Sequence, residues 1–535
     1  MAEMIKTRDA THELSAKQSS DDGRISLGSN GRGLAAMARS VYRNDHQLQL
    51  ALLAFMLLCY GTLLGISWRL AWSDPIRLTF NSMLSHLLHG QFDVDPKIVS
   101  YEGYSYNGRV YAYWGIWPAL LRLPLWIMRR MDMDMTMWSC LAAVCIAGMA
   151  KVRAVLLVRR HGAQDSVSRL AIGSVLAYIL LGGSEVGYLR VSIYQEVILW
   201  ASAFAAVFVY FAVKGIVIRR FDMATLCAMA LCAGLAMLTR VSTGIGLLMA
   251  MVLLLIVLAL EPAMIEATGR WASMQRLGRA LTQRRILAAL GVLTLLVAMT
   301  GLVNYFRWGN PTAFVNYSQY CDRCSNDPKH LFLSVLFNFK RIPFGLIYYF
   351  FPVWVLHGSS GQLFMEKTQT RLFDYVELPP GSFFLTDLLP LCFIALFAIA
   401  LWRRRPADQP ILRQLAAIGI GLLVPCLLVL TFVYLAYRFR MEFYPEIDLL
   451  AFLGLYFTVT DKAMLATFAR FSRWIRAALA VSIVASFVTL MLYDLSFGGP
   501  AQVCLRDGIM RYYGQGAAQY YHRSMAHFFA THRSP

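Results

Sequence analysis

Residues 242–260 read STGIGLLMAMVLLLIVLAL, nineteen residues without a charged side chain. At 1.5 Å per residue, a helix of this length spans about 28 Å, close to the roughly 30 Å hydrocarbon core of a bilayer. Similar stretches recur along the 535-residue chain, which is 58% hydrophobic and 15% charged, with a mean hydropathy of +0.52. Soluble domains hold roughly 45–50% apolar and about 25% charged residues. The composition therefore excludes an ordinary soluble enzyme and predicts an all-α, polytopic membrane protein.

The apolar stretches divide the chain into predicted membrane spans and the loops between them. The pattern predicts eleven spans, at residues 49–69, 134–152, 170–184, 196–213, 222–239, 242–260, 286–304, 386–402, 411–435, 444–460 and 474–493. Two large loops, 67–133 and 304–386, contain many of the polar and aromatic residues. The segment 342–356 contains Pro343 and Pro352, so it is predicted to be interfacial or re-entrant rather than spanning.

The distribution of charge predicts an orientation. The net charge of +19 arises from 50 Lys and Arg against 31 Asp and Glu. Basic residues are densest in the segments that would be cytoplasmic if the N-terminus were inside, as the positive-inside rule requires. That rule explains the charge better than nucleic-acid binding does. We expect a disordered cytoplasmic tail at 1–46, a membrane domain at 47–493 and a periplasmic or extracellular tail at 494–535.

The first large loop carries signals for local structure. Asp74-Pro75 precedes apolar residues at helical spacing that end at Gly90, which predicts a surface helix with Asp74 at its N-cap. Asn107-Gly108 lies between alternating aromatic residues, which predicts a β-hairpin.

An ordered set of motifs resembles the GT-C glycosyltransferases. The motifs are SDPIRLTFNSMLSHLLHGQFDVDP (73–96), YAYWGIWPALLRLP (111–124), SIYQEVILWASAF (192–204), GLAMLTRVSTGIGL (234–247), NYFRWGNPTAF (304–314) and YRFRMEFYPEIDLLAFLG (437–454). They look like the family-39 branch, which includes protein O-mannosyltransferases and the aminoarabinose transferase. Many relatives have Asp-Glu after the first span, where this chain has Asp74-Pro75, so one acid of that pair is missing.

The resemblance implies a GT-C bundle of about eleven helices with an active site on the outer face of a bacterial inner membrane. It implies transfer of a monosaccharide from a polyprenyl-phosphate donor to an envelope glycan, lipid or protein, with inversion at the anomeric carbon. Such a reaction needs a carboxylate to take the acceptor's proton and cations to hold the donor phosphate.

Asp74 is the first candidate for the catalytic base, because its position matches that of the family's acid. Its competing role is that of the N-cap of the helix that follows. Asp93 and Asp95 are the other candidates, and a solvated Asp-Pro turn is their competing explanation.

The candidate substrate-binding residues are acidic, aromatic and cationic. They are Glu102, Tyr113, Tyr194, Glu196, Arg240, Lys340, Arg341, Arg438 and Arg440. The aromatic residues are also explained by an interfacial belt. Glu196, at the start of the fourth span, is also explained by the helix macrodipole, which favours an acid there. Arg240 is also explained by snorkelling, and Lys340 and Arg341 by interfacial anchoring. An Arg440–Glu442 ion pair is the alternative to a phosphate clamp.

Metal and redox motifs are sparse in the sequence. Cys321 and Cys324 form a C-x-x-C that predicts a local disulfide or two free thiols. Metal-ligand clusters and phosphate-binding glycine loops are absent from the sequence, so no cofactor is assigned and a divalent cation is left open. A transporter or flippase of lipid-linked glycans and a non-catalytic membrane scaffold are the competing classes. A transporter predicts polar residues inside the spans.

Overall fold

The chain is helical through most of the residues that the computed structural model describes. These residues are 27–70, 75–163, 165–266, 283–314, 336–352, 372–373, 375–377, 379–403 and 409–495. The chain divides into two compact units, Met1–Ala54 and Phe55–Pro535. In the first unit, the described residues belong to one helix.

The described residues form α-helices, 3₁₀ helices and short β-strands. The α-helices are α1 (Leu27–Leu70), α2 (Thr79–Leu88), α3 (Pro96–Val99), α4 (Trp117–Leu120), α5 (Leu123–Ile127), α6 (Thr136–His161), α7 (Ser166–Leu181), α8 (Gly183–Gly187), α9 (Ile193–Val217), α10 (Met223–Met237), α11 (Val241–Glu266), α12 (Arg284–Trp308), α13 (Ile342–Phe350), α14 (Phe383–Thr386), α15 (Leu388–Arg403), α16 (Gln409–Thr431), α17 (Tyr444–Thr460) and α18 (Lys462–Leu495). The 3₁₀ helices are η1 (Pro75–Leu78), η2 (Ser100–Glu102), η3 (Phe339–Arg341) and η4 (Tyr437–Phe443). The strands are β1 (Tyr104–Tyr106), β2 (Arg109–Tyr111), β3 (Tyr375–Val376) and β4 (Tyr434–Leu435).

Eight of the described helices are long and apolar enough to cross a membrane. They are Asp45–Arg69, Thr136–His161, Ser166–Gly187, Ile193–Val217, Val241–Leu260, Arg284–Trp308, Pro410–Thr431 and Lys462–Asp494. The other three predicted spans coincide with the shorter helices α10, α15 and α17. The chain is therefore a multi-pass membrane protein, as its composition predicts. The total of eleven spans and their orientation stay predictions.

The helix that covers the third predicted span is interrupted near its end. The α7 helix stops at Leu181, and α8 begins at Gly183, whose φ is +59°. A Cβ atom at Gly183 would lie 2.4 Å from the Tyr178 hydroxyl oxygen. Glycine is therefore required here both by the backbone conformation and by the lack of space.

The N-terminal helix begins earlier than the sequence predicts. Residues 27–46 are helical, although they belong to the segment 1–46 for which we expect disorder. Alanine, leucine and methionine are frequent between residues 34 and 38, and these residues favour extension of the first span in the N-terminal direction. Residues 1–26 and 496–535, which contain the rest of both predicted tails, lie outside the described residues.

The first loop, which joins α1 to α6, packs as a compact layer against the helix bundle. The first half of α2 is buried, and Phe80 and Met83 share one apolar core with Trp114, Ile193 and Val303. The predicted surface helix is therefore covered along one face by α9 and α12 residues.

The predicted hairpin is confirmed. Strands β1 and β2 pair antiparallel, with Tyr104 opposite Tyr111 and Tyr106 opposite Arg109. Asn107 and Gly108 have φ values of +49° and +76°. Positive φ at both central residues is the requirement of a type I′ turn, which is why Asn-Gly is favoured there.

Candidate functional site

Main-chain contacts fix the C-terminal part of the first loop to the turn between α10 and α11. The Gly115 N–H donates to the Thr239 carbonyl at 3.3 Å, and the Trp117 N–H donates to the Leu238 carbonyl at 3.0 Å. A Cβ atom at Gly115 would lie 2.0 Å from the Leu238 carbonyl oxygen, so only glycine permits this approach. On the opposite side, buried Arg307 of α12 donates from Nη1 to the Trp114 carbonyl at 2.7 Å.

A buried ion pair ties the same loop to α9. The Arg122 guanidinium binds both oxygens of Glu196, with Nη2 at 2.7 Å from Oε2 and Nη1 bonded to Oε1. Both side chains are fully buried, and Arg122 also donates to the Pro118 carbonyl at 2.9 Å. Glu196 is predicted to contact substrate, but the structure places it within protein, paired with a cation that the sequence analysis did not single out.

Three of the predicted binding residues meet where η2, α9 and η4 converge. The Tyr194 hydroxyl donates to Oε1 of Glu102. The Arg438 guanidinium carbon lies 5.1 Å from the centre of the Tyr194 ring and 5.3 Å from the centre of the Phe439 ring. Because aromatic faces attract cations, these rings hold Arg438 at the centre of a group that we call the Arg438 cluster: Glu102, Tyr113, Tyr194, Glu377 and Arg438.

Glu377 is the member of the Arg438 cluster that the sequence analysis missed. Its Oε2 accepts a hydrogen bond from the Tyr437 N–H at 3.0 Å, and its own N–H donates to the Leu435 carbonyl at 2.8 Å. These bonds continue the short parallel pairing of β3 with β4. Burial raises the pKa of the Glu377 carboxyl above its ordinary value, and Arg438 acts in the opposite direction.

The residues around Arg438 keep its guanidinium charged. Burial acts to lower its pKa, but Glu377 and the hydroxyls of Tyr113, Tyr493 and Tyr194 outweigh that effect, so the pKa lies above its ordinary value. Within the described residues, no hydrogen bond from the Arg438 guanidinium occurs. A half-buried, permanently charged guanidinium with unused donors is suited to bidentate binding of a phosphate.

Arg240 lies beside the Arg438 cluster and is paired with Glu442. Arg240 Nε is 2.5 Å from Glu442 Oε1, and the hydroxyls of Ser242 and Thr243 donate to the same carboxylate at 2.5 Å and 2.7 Å. The Arg240 guanidinium carbon is 5.5 Å from the Phe439 ring centre. Two predicted cations thus contact one aromatic ring.

Arg440 does not pair with Glu442. It is fully buried and binds Asp387 and Thr386, with its guanidinium carbon 4.2 Å from the Phe383 ring centre. The reason is local geometry, since η4 has about three residues per turn and side chains two positions apart point in different directions. The predicted phosphate clamp at Arg440 has no access to solvent in this structure.

The two cations at the start of the re-entrant segment differ in environment. Arg341 is buried, and its guanidinium donates to the carbonyls of Leu336 and Thr431 at 2.9 Å and of Leu372 at 2.5 Å. It therefore ties this segment to the end of α16. Lys340 is exposed. The α13 helix lies in the stretch 342–356, whose interfacial or re-entrant position stays a prediction, and 353–356 lie outside the described residues.

The structure describes two of the three candidate bases, Asp93 and Asp95. Asp74 lies outside the described residues, as do Cys321 and Cys324. Asp95 is the N-cap of α3, where its carboxylate accepts from the Lys97 N–H at 2.8 Å. Asp93 Oδ1 lies 3.0 Å from Nδ1 of His86.

A charged cluster lies inside the helix bundle. Lys151 of α6 donates to Glu185 Oε1 at 2.6 Å, Asp448 Oδ2 at 3.0 Å and Ser184 Oγ at 2.8 Å. Only 3% of the Lys151 side chain is exposed. In the part of the chain that the structure describes, no group of three or more His, Cys, Asp or Glu is arranged to hold a metal ion.

Neither a family model nor a curated protein matches the sequence. Similar solved structures include the oligosaccharyltransferase AglB from Archaeoglobus fulgidus in complex with an inhibitory peptide and a dolichol-phosphate, with 14% identity, a TM-score of 0.43 and coverage of 88% of this chain. Our chain spans 59% of that protein. ArnT from Cupriavidus metallidurans bound to undecaprenyl phosphate has 13% identity, a TM-score of 0.38 and coverage of 88% of this chain and 75% of its own. At TM-scores below 0.5 these matches describe a partial similarity of helix arrangement and carry no argument about the site.

Proposed function

We propose that this protein is a membrane glycosyltransferase that moves a monosaccharide from a polyprenyl-phosphate donor to an acceptor in the cell envelope. The observation that carries the proposal is Arg438, a permanently charged guanidinium held between aromatic rings beside Glu102 and Tyr194. The phosphodiester of such a donor has two non-bridging oxygens that share one negative charge, and a guanidinium binds oxygens of this kind. The motifs that resemble GT-C enzymes support the same reaction class.

The residues of the site divide between the two ends of the donor. Arg438 binds the phosphate, and Arg240, at 5.5 Å from the shared Phe439 ring, adds positive charge. Both stabilise the negative charge that the phosphate gains as it leaves. The Glu102 carboxylate and the Tyr194 and Tyr113 hydroxyls then face the sugar, for which hydrogen-bonding and aromatic groups are suitable partners.

The reaction inverts the anomeric carbon by direct displacement. The acceptor oxygen forms a bond to the anomeric carbon, and the bond between that carbon and the phosphate oxygen breaks. A base removes the proton of the acceptor hydroxyl. Asp74, Asp93 and Asp95 are the proposed carboxylates. We place the site at the outer face of a bacterial inner membrane, with the N-terminus cytoplasmic and the C-terminus periplasmic.

A transporter or flippase of lipid-linked glycans is the second candidate. The observation that favours it is the buried cluster of Lys151, Glu185 and Asp448, because ionisable groups within a membrane often mark a transport pathway. Glu185 and Asp448 are almost fully buried as well, which is the environment of a structural cluster.

The test is transfer of radiolabel from polyprenyl-phosphate hexoses to an envelope extract by purified protein. Loss of a charged hydrogen bond costs about 1.5–3 kcal/mol, so Arg438→Ala is expected to lower kcat/KM for the donor by about 10- to 150-fold. Arg438→Lys should recover part of the loss, because lysine keeps the positive charge but lacks the two parallel N–H donors of the guanidinium. Arg130→Ala is the matched control, since 57% of the Arg130 side chain is exposed.

Asp74→Asn, Asp93→Asn and Asp95→Asn then test the base by the fall of kcat in the same assay. Wild-type protein that leaves all label on the lipid would contradict the transferase. Movement of intact lipid-linked glycan across vesicles by that protein would instead establish the transporter.

A further inference from the structure

Glu377 is bonded through both its main chain and its side chain to the residues that directly precede Arg438. Its N–H donates to the Leu435 carbonyl at 2.8 Å, and its Oε2 accepts from the Tyr437 N–H at 3.0 Å. Since Arg438 follows Tyr437 in the chain, the Glu377 carboxylate helps to fix the backbone that holds the guanidinium. Glu377 therefore influences both the position of Arg438 and the charge around it.

The Glu377 carboxylate is buried with few partners. Only 3% of the residue is exposed, and the bond from the Tyr437 N–H is the one hydrogen bond to the carboxylate in the part of the chain that the structure describes. An ionised carboxylate in such surroundings is costly unless nearby cations compensate for it. Whether Glu377 is ionised therefore depends on the charges next to it.

Cations and tyrosine hydroxyls from four parts of the protein face this carboxyl. They are Arg438 and Tyr437 of η4, Arg190 between α8 and α9, Tyr349 of α13 and Tyr493 of α18. Burial raises the pKa of the Glu377 carboxyl, whereas Arg438 and, to a smaller extent, Arg190 act to lower it. The Arg438 guanidinium is thus the main charge that favours the ionised form of Glu377.

We propose that Glu377 is a positioning residue of the donor site and that its carboxylate takes up a proton when the donor phosphodiester binds Arg438. The inference rests on the proposed glycosyltransferase function and adds a control of its donor site by pH. The bound phosphodiester neutralises the guanidinium and repels the carboxylate. A proton from solvent then converts Glu377 to the neutral acid, which leaves the charge of Arg438 to the phosphate.

Donor affinity is therefore expected to fall as the pH rises. Because linkage is reciprocal, protonation of Glu377 strengthens donor binding by the same factor by which the donor strengthens protonation. The donor Kd is constant at low pH, where Glu377 is neutral with and without donor. It rises between the pKa of Glu377 in the free protein and its higher pKa in the donor complex, and it is constant again above that. Couplings between linked sites begin at about fivefold, so we expect at least that rise in Kd.

The first experiment measures binding of a radiolabelled polyprenyl-phosphate hexose to the full-length protein without acceptor, between about pH 5 and pH 8, above the ordinary pKa of a glutamate. Its phosphodiester keeps one negative charge throughout this range. Glu377→Gln keeps an acceptor for the Tyr437 N–H, so it should bind at least about fivefold more tightly than wild type at the highest pH, with a Kd independent of pH. Glu377→Ala also loses that acceptor and should bind more weakly than Glu377→Gln at every pH.

Glu446→Gln is the matched control, because half-buried Glu446 of α17 faces Gly419 of α16. It should keep the pH dependence of the wild type. A dependence on pH that persists unchanged in Glu377→Gln would overturn the inference.

The second experiment needs no variant. Calorimetric titration of wild-type protein with the same donor, in buffers that differ in ionisation enthalpy, counts the protons taken up on binding. Uptake of up to one proton per donor is expected. Donor binding without proton uptake at any pH in this range would overturn the inference and leave the donor site intact. Absence of donor binding at every pH, or wild-type binding by Arg438→Ala, would refute the donor site and the inference with it.

Discussion

The Arg122–Glu196 pair permits a quantitative test of how the first loop is held on the bundle. Both side chains are fully buried and make a bidentate contact. Replacement of Arg122 by Met leaves the Glu196 carboxylate in protein without its cation, and such an unpaired buried charge costs about 3–5 kcal/mol. Glu196→Gln leaves the guanidinium without its counter-charge and is expected to cost a similar amount.

The double variant separates the pair from its surroundings. With both charges removed, only packing and the bond from Arg122 to the Pro118 carbonyl are lost, so we expect about 2 kcal/mol. The losses in free energy of unfolding of the two single variants then sum to far more than the loss of the double variant, which gives a coupling energy of about 4–8 kcal/mol. The measurement is the free energy of unfolding in mixed micelles, followed by tryptophan fluorescence.

The exposed pair of Arg130 and Asp132 is the matched control, with 57% and 72% of the side chains exposed and 3.4 Å between Nε and Oδ1. Its cycle should give a coupling below about 1 kcal/mol. Additive effects at Arg122 and Glu196, or single variants within about 1 kcal/mol of wild type, would refute the structural role and return Glu196 to the candidate substrate ligands.

Three further substitutions test packing inside the bundle and at the loop. Lys151→Met should lower the free energy of unfolding by about 3–5 kcal/mol, because it leaves the Glu185 and Asp448 carboxylates buried without a cation; unfolding in mixed micelles measures this, and a loss below about 1 kcal/mol would contradict it. Gly115→Ala should lower the free energy of unfolding more than Gly108→Ala does. A Cβ atom at Gly115 would lie 2.0 Å from a backbone atom, whereas a Cβ atom at Gly108 would meet nothing within 4 Å. Gly108→Ala is expected to cost about 1–2 kcal/mol from its positive φ alone, and equal losses at both positions would show that the loop moves away freely.

Local signals in the sequence were sufficient for most of the fold. Apolar stretches of about 20 residues coincide with helices, because span length is set by the bilayer. Asn107-Gly108 predicts the hairpin, since that dipeptide matches the backbone of its turn. The N-terminal extension of α1 was missed, because polar residues in a helix outside the apolar span carry no periodic signal.

The partners of the charged residues could not be predicted in the same way. Arg438, Glu102 and Tyr194 were identified as candidates, but Glu377 was not, since its role depends on a strand pairing two residues long. Pairings between residues far apart in sequence, such as that of Arg440 with Asp387, are set by the packing of helices. Hydropathy averages also conceal single charges such as Lys151.

The η4 segment holds three charged residues that point to three different parts of the protein. Arg438 faces the aromatic rings of the proposed donor site, Arg440 faces Asp387, and Glu442 faces Arg240. Connecting segments commonly accept inserted and deleted residues. In a helix of about three residues per turn, one deleted residue rotates everything beyond it by about 120° and exchanges these partners. The length of 437–443 is therefore as important to these three contacts as its charges are.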